Sequence, residues 1–309
     1  TMPLYLLKNN KRTNIMAITA ADVKKLRDAT GAGMMDCKKA LVENDGDFDA
    51  SLDWLRAKGI AKAAKKGGRI AAEGMVSVVA EGNKGAMVEV NSETDFVAKN
   101  DTFKEFVACV AKVVLDTKIE NVEELKTQAY PTGGTVESVL TDLIATIGEN
   151  MNLRRAKYVE VESGSVAAYS HMNGKIGVLT VLAGEGSDEL AATARNISMH
   201  VAAANPQALN RDAVDPALLE REKAVYEEQA ASSGKPANVV EKMIIGKVNK
   251  FYKEICLVEQ PFIMDTDKTV GKIAEEAKAE VAEYARFGLG EGIEKKEEDF
   301  AAEVASMTK

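Results

Sequence analysis

The side chains able to do chemistry are few and scattered. Two histidines, His171 and His200, and three cysteines, Cys37, Cys109 and Cys256, are all the imidazole and thiol in 309 residues. No CxxC pair occurs, so neither a zinc knuckle nor a disulfide framework is spelled out, and a reducing cytoplasm fits best. A Ser-His-Asp or Cys-His engine would have to recruit one of those imidazoles, and neither has an obvious nucleophile partner nearby in sequence. Carboxylates come close at Glu93 and Asp95, within Ser92-Glu93-Thr94-Asp95-Phe96-Val97-Ala98-Lys99-Asn100. Their types allow an acid/base pair or a Mg²⁺ site, though two carboxylates alone are weak ground for either. Gly31-Ala32-Gly33 and Gly288-Leu289-Gly290-Glu291-Gly292 match neither GxGxxG nor GxxxxGK[ST], and an acid in the second would repel phosphate. They read as turns. Catalysis, a resident metal and a cofactor all start from a low base.

Other residues suit contact with a macromolecule. Met34 and Met35 are adjacent, so both cannot face one core from a helix; one is expected at the surface, where a flexible thioether serves contacts. Phe96 by itself reads as a core residue, with Asp95 as a helix cap. Arg56, Lys58, Lys62, Lys65, Lys66 and Arg69 occur with no acidic residue among them. That run reads either as a solvated, Ala-rich helical linker or as a docking patch for an acidic surface or RNA. His171 is expected in an accessible turn between strands, and His200 packed on a helix.

Composition frames these candidates. With 40 Lys and Arg against 48 Asp and Glu, the net charge is −8, which argues against a chain that coats nucleic acid. Hydrophobic residues at 46% and aromatics at 5% predict an aliphatic, largely helical core. The length suits about two domains. No apolar stretch approaches the ~18 residues of a membrane span, so a soluble protein is expected. In residues 1–15 a short apolar run, Pro3 to Leu7, precedes Lys8, Lys11 and Arg12, the reverse of a secretory signal. These residues read as a flexible extension ahead of a start at Met16.

The elements that must position the candidates follow from periodicity and turn chemistry. Residues 17 to about 60 predict three short helices, separated at Thr30-Gly31-Ala32-Gly33 and Asn44-Asp45-Gly46-Asp47 and ending at Lys58-Gly59. An imperfect internal repeat follows. Strands at 73–80 and 86–90 lead to a helix at 101–115; strands at 164–169 and 175–182 lead to a helix at 187–204. A helix at 136–149 and a strand at 154–162 join the copies. Asp215-Pro216 starts an antiparallel helical hairpin that turns at Ser233-Gly234-Lys235-Pro236, its apolar stripe either packed or a contact surface. A strand at 261–264, a helix at 268–278, a strand at 281–287 and a helix at 297–307 complete the chain. The fold class is α+β: a three-helix bundle, two repeated subdomains with small antiparallel sheets, an inserted hairpin and a C-terminal helical module. Expected boundaries are 16–60 for the bundle, 61–72 for a basic linker and 73–153 for the first subdomain. The second spans 154–214 and 254–289, interrupted by the hairpin at 215–253, and the module is 290–309.

Several of these segments resemble the bacterial elongation factor Ts family. The motifs are Leu26-Arg27-Asp28-Ala29-Thr30-Gly31-Ala32-Gly33-Met34-Met35-Asp36-Cys37-Lys38-Lys39-Ala40-Leu41 and Glu89-Val90-Asn91-Ser92-Glu93-Thr94-Asp95-Phe96-Val97-Ala98-Lys99. Ile147-Gly148-Glu149-Asn150, Met199-His200-Val201-Ala202, the Ser233–Pro236 turn and Gly290-Glu291-Gly292-Ile293-Glu294-Lys295 are similar too, in the family's order. The resemblance implies a ubiquitin-associated-like bundle and a cytoplasmic, non-enzymatic guanine nucleotide exchange factor for elongation factor Tu, in both its GDP-bound and nucleotide-free forms. It implies partner contacts at Arg27, Met34, Met35 and His171, and disturbance of the GTPase's Mg²⁺ site by Thr94, Asp95, Phe96 and Val97. It implies no cofactor, no metal and no direct nucleotide binding, and in some bacteria self-association through the hairpin. The rival readings are an RNA- or ribosome-binding adaptor using Arg56 to Arg69, and an acid/base enzyme using Glu93, Asp95 and a histidine.

Overall fold

The computed structural model describes residues 18–231 and 236–294. The expected extension at 1–15, most of the Ser233–Pro236 turn and the helix at 297–307 lie outside the described residues. Contacts divide the chain into two compact units: residues up to Gly68 together with Leu140–Glu149, and Arg69–Val139 together with Asn150 onward.

The first unit holds α1 (Ala20–Thr30), α2 (Met34–Glu43) and α3 (Phe48–Lys66). Thr19 caps α1 reciprocally: its hydroxyl accepts the Asp22 N–H at 3.2 Å, and the Asp22 carboxylate accepts the Thr19 N–H at 2.9 Å. Asp47 caps α3 by accepting the Ala50 N–H at 2.8 Å. Val23, Leu26, Cys37, Ala40 and Leu41 form the core, with Leu52, Trp54 and Leu55 against it. Two expectations need correction here. α3 does not stop at Lys58-Gly59 but runs on to Lys66, because the Ala-Lys sequence beyond Gly59 favours helix and nothing breaks it. The basic linker expected at 61–72 is helical, as its Ala-rich sequence suggested, through its first half to Lys66. The bundle is also joined by a distant segment: a Cβ on Gly59 would lie 3.3 Å from Ala145 Cβ, and Lys66 Nζ donates to the Gly148 carbonyl. Cutting the chain at residue 58 would split α3 and strip cover from 140–149.

In the second unit β1 (Glu73–Glu81) and β2 (Lys84–Ser92) form a hairpin, followed by the one-turn α4 (Asp95–Lys99) and by α5 (Asp101–Thr117). α6 (Val122–Thr127), α7 (Val136–Ile147) and β3 (Met151–Glu160) follow, α7 ending in the first unit. β3 pairs antiparallel with β2, closing a sheet of order β1-β2-β3. Residues 154–160 thus belong to the first sheet, not to the second subdomain. The second copy runs β4 (Gly164–His171), β5 (Ile176–Gly184) and α8 (Asp188–Ala204). The hairpin of α9 (Pro216–Ala231) and α10 (Ala237–Ile255) comes next, then β6 (Pro261–Phe262), β7 (Asp265–Thr269), α11 (Val270–Glu276) and β8 (Ala279–Gly288). β8 returns beside β5, giving order β4-β5-β8. The short β6–β7 ladder was not expected; Ile263 and Met264 form its turn instead of extending a strand. Leu218, Leu219 and Tyr226 of the hairpin pack at its base with Val214, Phe251 and Ile255, whereas Val225, Val239 and Ile245 stay exposed.

The repeat is exact at the level of register. β2 pairs with β3 as β5 pairs with β8, and each pair carries its bulge at the matching step, Glu89/Val90 and Val181/Leu182. The two sheets pack on each other through Val76, Met87, Val159, Val166, Leu179 and Val181, while α8 covers Val178 and Leu182 on the far face of β5. Equivalent residues interlock. A Cβ on Gly177 would lie 2.9 Å from Met87 Sδ, and one on Gly85 would lie 3.1 Å from Leu179 Cδ2. Gly85 corresponds to Gly177 and Met87 to Leu179, so each sheet sets a large side chain over the other's bare glycine. Close approach of the sheets depends on both. Gly177→Ala is expected to lower stability by about 1–3 kcal/mol through overpacking, read from the urea unfolding midpoint; an unchanged midpoint would mean the sheets can separate freely.

Candidate functional site

The most distinctive surface element springs from the end of β2. Ser92 is buried and its Oγ donates to the Thr94 carbonyl at 2.9 Å. The Glu93 carboxylate accepts the Asn150 N–H at 2.5 Å and lies 3.4 Å from Arg69 Nη1. The chain then makes a single helical turn, Asp95–Lys99, before Asn100 caps α5 by accepting from Thr102 N at 2.9 Å and Phe103 N at 3.3 Å. One turn can bury only one face. Val97 takes that place at 4% exposure, and Phe96 is left 77% exposed. Phe96 is therefore not a core residue, and Asp95 is not the cap: Thr94 holds the cap position, while Asp95 pairs with Lys99 at 2.6 Å. Lys99 Nζ also sits 5.4 Å from the Phe96 ring centroid. Exposed pairs of this kind contribute little, so the aromatic is presented to solvent rather than held down.

A second element meets the same strand. α4 packs on β1, and the β4–β5 turn reaches β1 as well, where Val76 N–H donates to the Gly174 carbonyl at 2.8 Å and Lys175 pairs with Glu73 at 2.6 Å. His171 is the last residue of β4 rather than part of the turn, half-buried, with Nδ1 3.0 Å from the Tyr169 hydroxyl. Met172 beside it is 66% exposed at the tip, with a positive φ of 51°. The run Met172-Asn173-Gly174 carried the only sequence signal for that exposed methionine, through turn residues that tolerate left-handed backbone. Thr94–Val97 and His171 thus share one frame built on β1.

In the other unit both methionines are exposed, Met34 at 47% and Met35 at 78%, where one had been expected. They open α2, and Arg27 lies exposed near the end of α1. Asp36, in the same first turn, takes Lys58 Nζ at 2.6 Å and Lys62 Nζ at 2.7 Å. Hydrogen bonds from Lys58 and then Lys62 hold its carboxyl below the usual range. The first turn of α2 is thereby clamped to α3, with its two thioethers outward.

Comparison with known proteins decides what this arrangement belongs to. The family profile described as Elongation factor TS matches residues 93–291. Elongation factor Ts of Magnetococcus marinus is 53% identical over 300 residues, covering 94% of this chain and 99% of that protein. Elongation factor Ts of Gluconobacter oxydans is 54% identical over 295 residues, covering 94% and 97%, and that of Rhizobium meliloti is 52% identical over 307 residues, covering 95% and 100%. The chain belongs to the elongation factor Ts family. It is a translation elongation factor by descent, and its α+β architecture is that of the family.

Within this elongation factor Ts family member, the rival sites are poorly served. Glu93 and Asp95 are each engaged separately, with Asn150 and with Lys99, and do not form an acid/base pair. Among the described residues no group of three His, Cys, Asp or Glu is placed to hold a metal ion, and no helix is long and apolar enough to cross a membrane. Much of the basic stretch is engaged within the chain, since Lys58 and Lys62 bind Asp36, Lys66 the Gly148 carbonyl, and Arg69 approaches Glu93, while Arg56, Lys65 and Arg69 remain exposed.

His200 is packed as expected. Its Nδ1 accepts the Ile263 N–H at 3.3 Å, so the proton sits on Nε2, which donates to Gln260 Oε1 at 2.9 Å. Burial pushes its pKa below the ordinary 6.5, against a smaller opposing effect of the Gln260 hydrogen bond. The unfolded chain therefore takes up the proton first as pH falls through 6.5. Stability is expected to drop between pH 7.5 and 5.5, and to drop less in His200→Gln, as read from urea midpoints. Equal slopes in the two proteins would show that His200 is not the titrating group.

Proposed function

We propose that this chain is a guanine nucleotide exchange factor for elongation factor Tu, which opens the GTPase's nucleotide site with the α4 turn. The observation that supports it most is Phe96, 77% exposed on a single helical turn whose base is fixed by Ser92, Glu93 and Asn100. An exposed aromatic on an anchored turn is partly pre-organised for insertion into another protein, since the turn that carries the ring need not be ordered on binding. In a GTPase, Mg²⁺ bridges the nucleotide phosphates to the protein and neutralises their charge. A factor that favours the nucleotide-free form need only bind that form better than the GDP-bound one.

Magnitudes set the division of labour. Accelerating release by about 10⁴ takes roughly 5.5 kcal/mol of differential binding. Burying one Phe side chain supplies about 1.5–3 kcal/mol, so Phe96 cannot act alone. Met34, Met35 and Arg27 on the bundle unit and His171 beside Met172 on the β4–β5 hairpin supply the remainder as grip. In this reading no bond is made or broken by this chain. The test is release of labelled GDP from elongation factor Tu on mixing with this protein. Strong acceleration is expected; release no faster than the spontaneous rate would end the proposal. The RNA-adaptor reading would instead show RNA binding that falls steeply with salt.

A further inference from the structure

Glu89 is fully buried on β2, yet it is among the most heavily hydrogen-bonded side chains of the protein. Oε1 accepts from Asn91 Nδ2 at 3.0 Å, Arg154 Nη1 at 3.0 Å and the Gly290 N–H at 2.9 Å, and Oε2 accepts from Arg155 Nε at 2.5 Å. Two successive arginines can reach one carboxylate only because of the β2–β3 bulge. Glu89 faces Arg155 and Val90 faces Leu153, so Arg154 is the extra residue and turns to the same side. Both guanidiniums then reach onward to a single turn. Arg155 Nη2 donates to the Gly288 carbonyl at 3.0 Å, Arg154 Nη2 donates to the Glu291 carbonyl, and Arg286 pairs with the Glu291 carboxylate at 2.6 Å.

The fold does not require this charge. At the matching step of the second copy, the same bulge closes with Val181 in place of Glu89 and Glu283 in place of Arg155. A buried ionic cluster seldom outdoes an apolar one for stability, and its distinctive property is fixed geometry. We infer that Glu89 is a positioning residue that clasps the Gly288–Glu291 turn to the strand delivering Phe96. Leu289 in that turn donates its N–H to the Lys175 carbonyl at 2.8 Å, so the clasp also steadies the β4–β5 hairpin end that offers His171 to the partner. Gly290 marks how tight the clasp is: at φ +70°, a Cβ there would come within 2.5 Å of the Ala72 carbonyl oxygen. The Phe96 turn itself keeps its own anchors, Ser92 and Glu93, when Glu89 is altered.

The inference rests on the exchange-factor reading for its kinetic half, and the experiment separates the two. Glu89→Gln is isosteric and removes only the charge that holds both arginines, which are partly exposed and can turn to water. Gly290→Ala shifts the same turn from the other side. Amide hydrogen exchange of the 286–294 segment should quicken at least tenfold in both variants while that of β5 is unchanged. The concentration of factor giving half-maximal GDP release should rise about tenfold, with the saturated rate kept within twofold. Unchanged amide exchange at 286–294, or an equal rise across β5, overturns the clasp. Quickened local exchange with wild-type release kinetics overturns its role in positioning. If the wild-type chain itself fails to speed GDP release, the exchange-factor reading falls, and amide exchange still judges the clasp by itself.

Discussion

Phe96→Ala should leave the folded protein almost untouched and disable it as an exchange factor. The ring is 77% exposed, with Lys99 Nζ 5.4 Å from its centroid, so stability should stay within about 0.5 kcal/mol of wild type. Had it been a core residue, the same change would have cost about 3–5 kcal/mol. Removing the 1.5–3 kcal/mol of burial it offers a partner should slow saturated GDP release roughly ten- to a hundredfold. The loss should shrink when Mg²⁺ is chelated, because displacing the ion is then no longer the factor's task. Asp95→Ala should show a milder defect, since its charge adds no apolar burial. The measurement is GDP release at saturating factor, with and without free Mg²⁺; full activity of Phe96→Ala at physiological Mg²⁺ would sink the insertion mechanism.

Met35→Lys should act on affinity and not on rate. The side chain is 78% exposed and its helix is clamped by Asp36 to Lys58 and Lys62, so the melting temperature should hold. Replacing an apolar contact with a charge that must be desolvated should weaken the complex with elongation factor Tu at least tenfold, about 1.4 kcal/mol or more. Titration calorimetry reads the dissociation constant, and release kinetics at saturation should match wild type. A fall in melting temperature with unchanged affinity would instead return Met35 to the bundle core. The substitution is a sharper probe than deleting the bundle, because the packing of Ala145 against Gly59 ties residues 140–149 to it.

Much of the fold was legible because its signals are local. Thr19, Asp47, Asn100 and Ser187 each precede a helix and do accept its first N–H groups, as their short polar side chains dictate. The repeat was visible in paired hairpin-then-helix patterns, and strand alternation placed β1, β2, β4 and β5 closely. Errors arose where neighbours outside the sequence window decide. α3 runs past Gly59 with nothing to break it, and Ala145 packs at that glycine; β3 joined the first sheet because β2 offered it an open edge. Phe96 misled for a related reason. A Phe following a strand is usually inward, but a helix of one turn has a single inward position, and Val97 holds it.

The sequence by itself determined the elements, the internal repeat and the family, and with them the residues to suspect: Arg27, Met34, Met35, Thr94 to Val97 and His171. The elements and the repeat follow from side-chain type and short spacing, which water and the backbone read in the same way in any context, whereas the suspected residues are those the family resemblance implies. Only the tertiary structure decided which of them face outward, that Asp36 clamps the methionine turn, and that Glu89 binds a turn two hundred residues along the chain at Gly290. Exposure and long-range hydrogen bonds depend on which surfaces are already covered. That is fixed by the packing of whole sheets and helices, through the interlocked Gly85 and Gly177 contacts, and not by any stretch of sequence read alone.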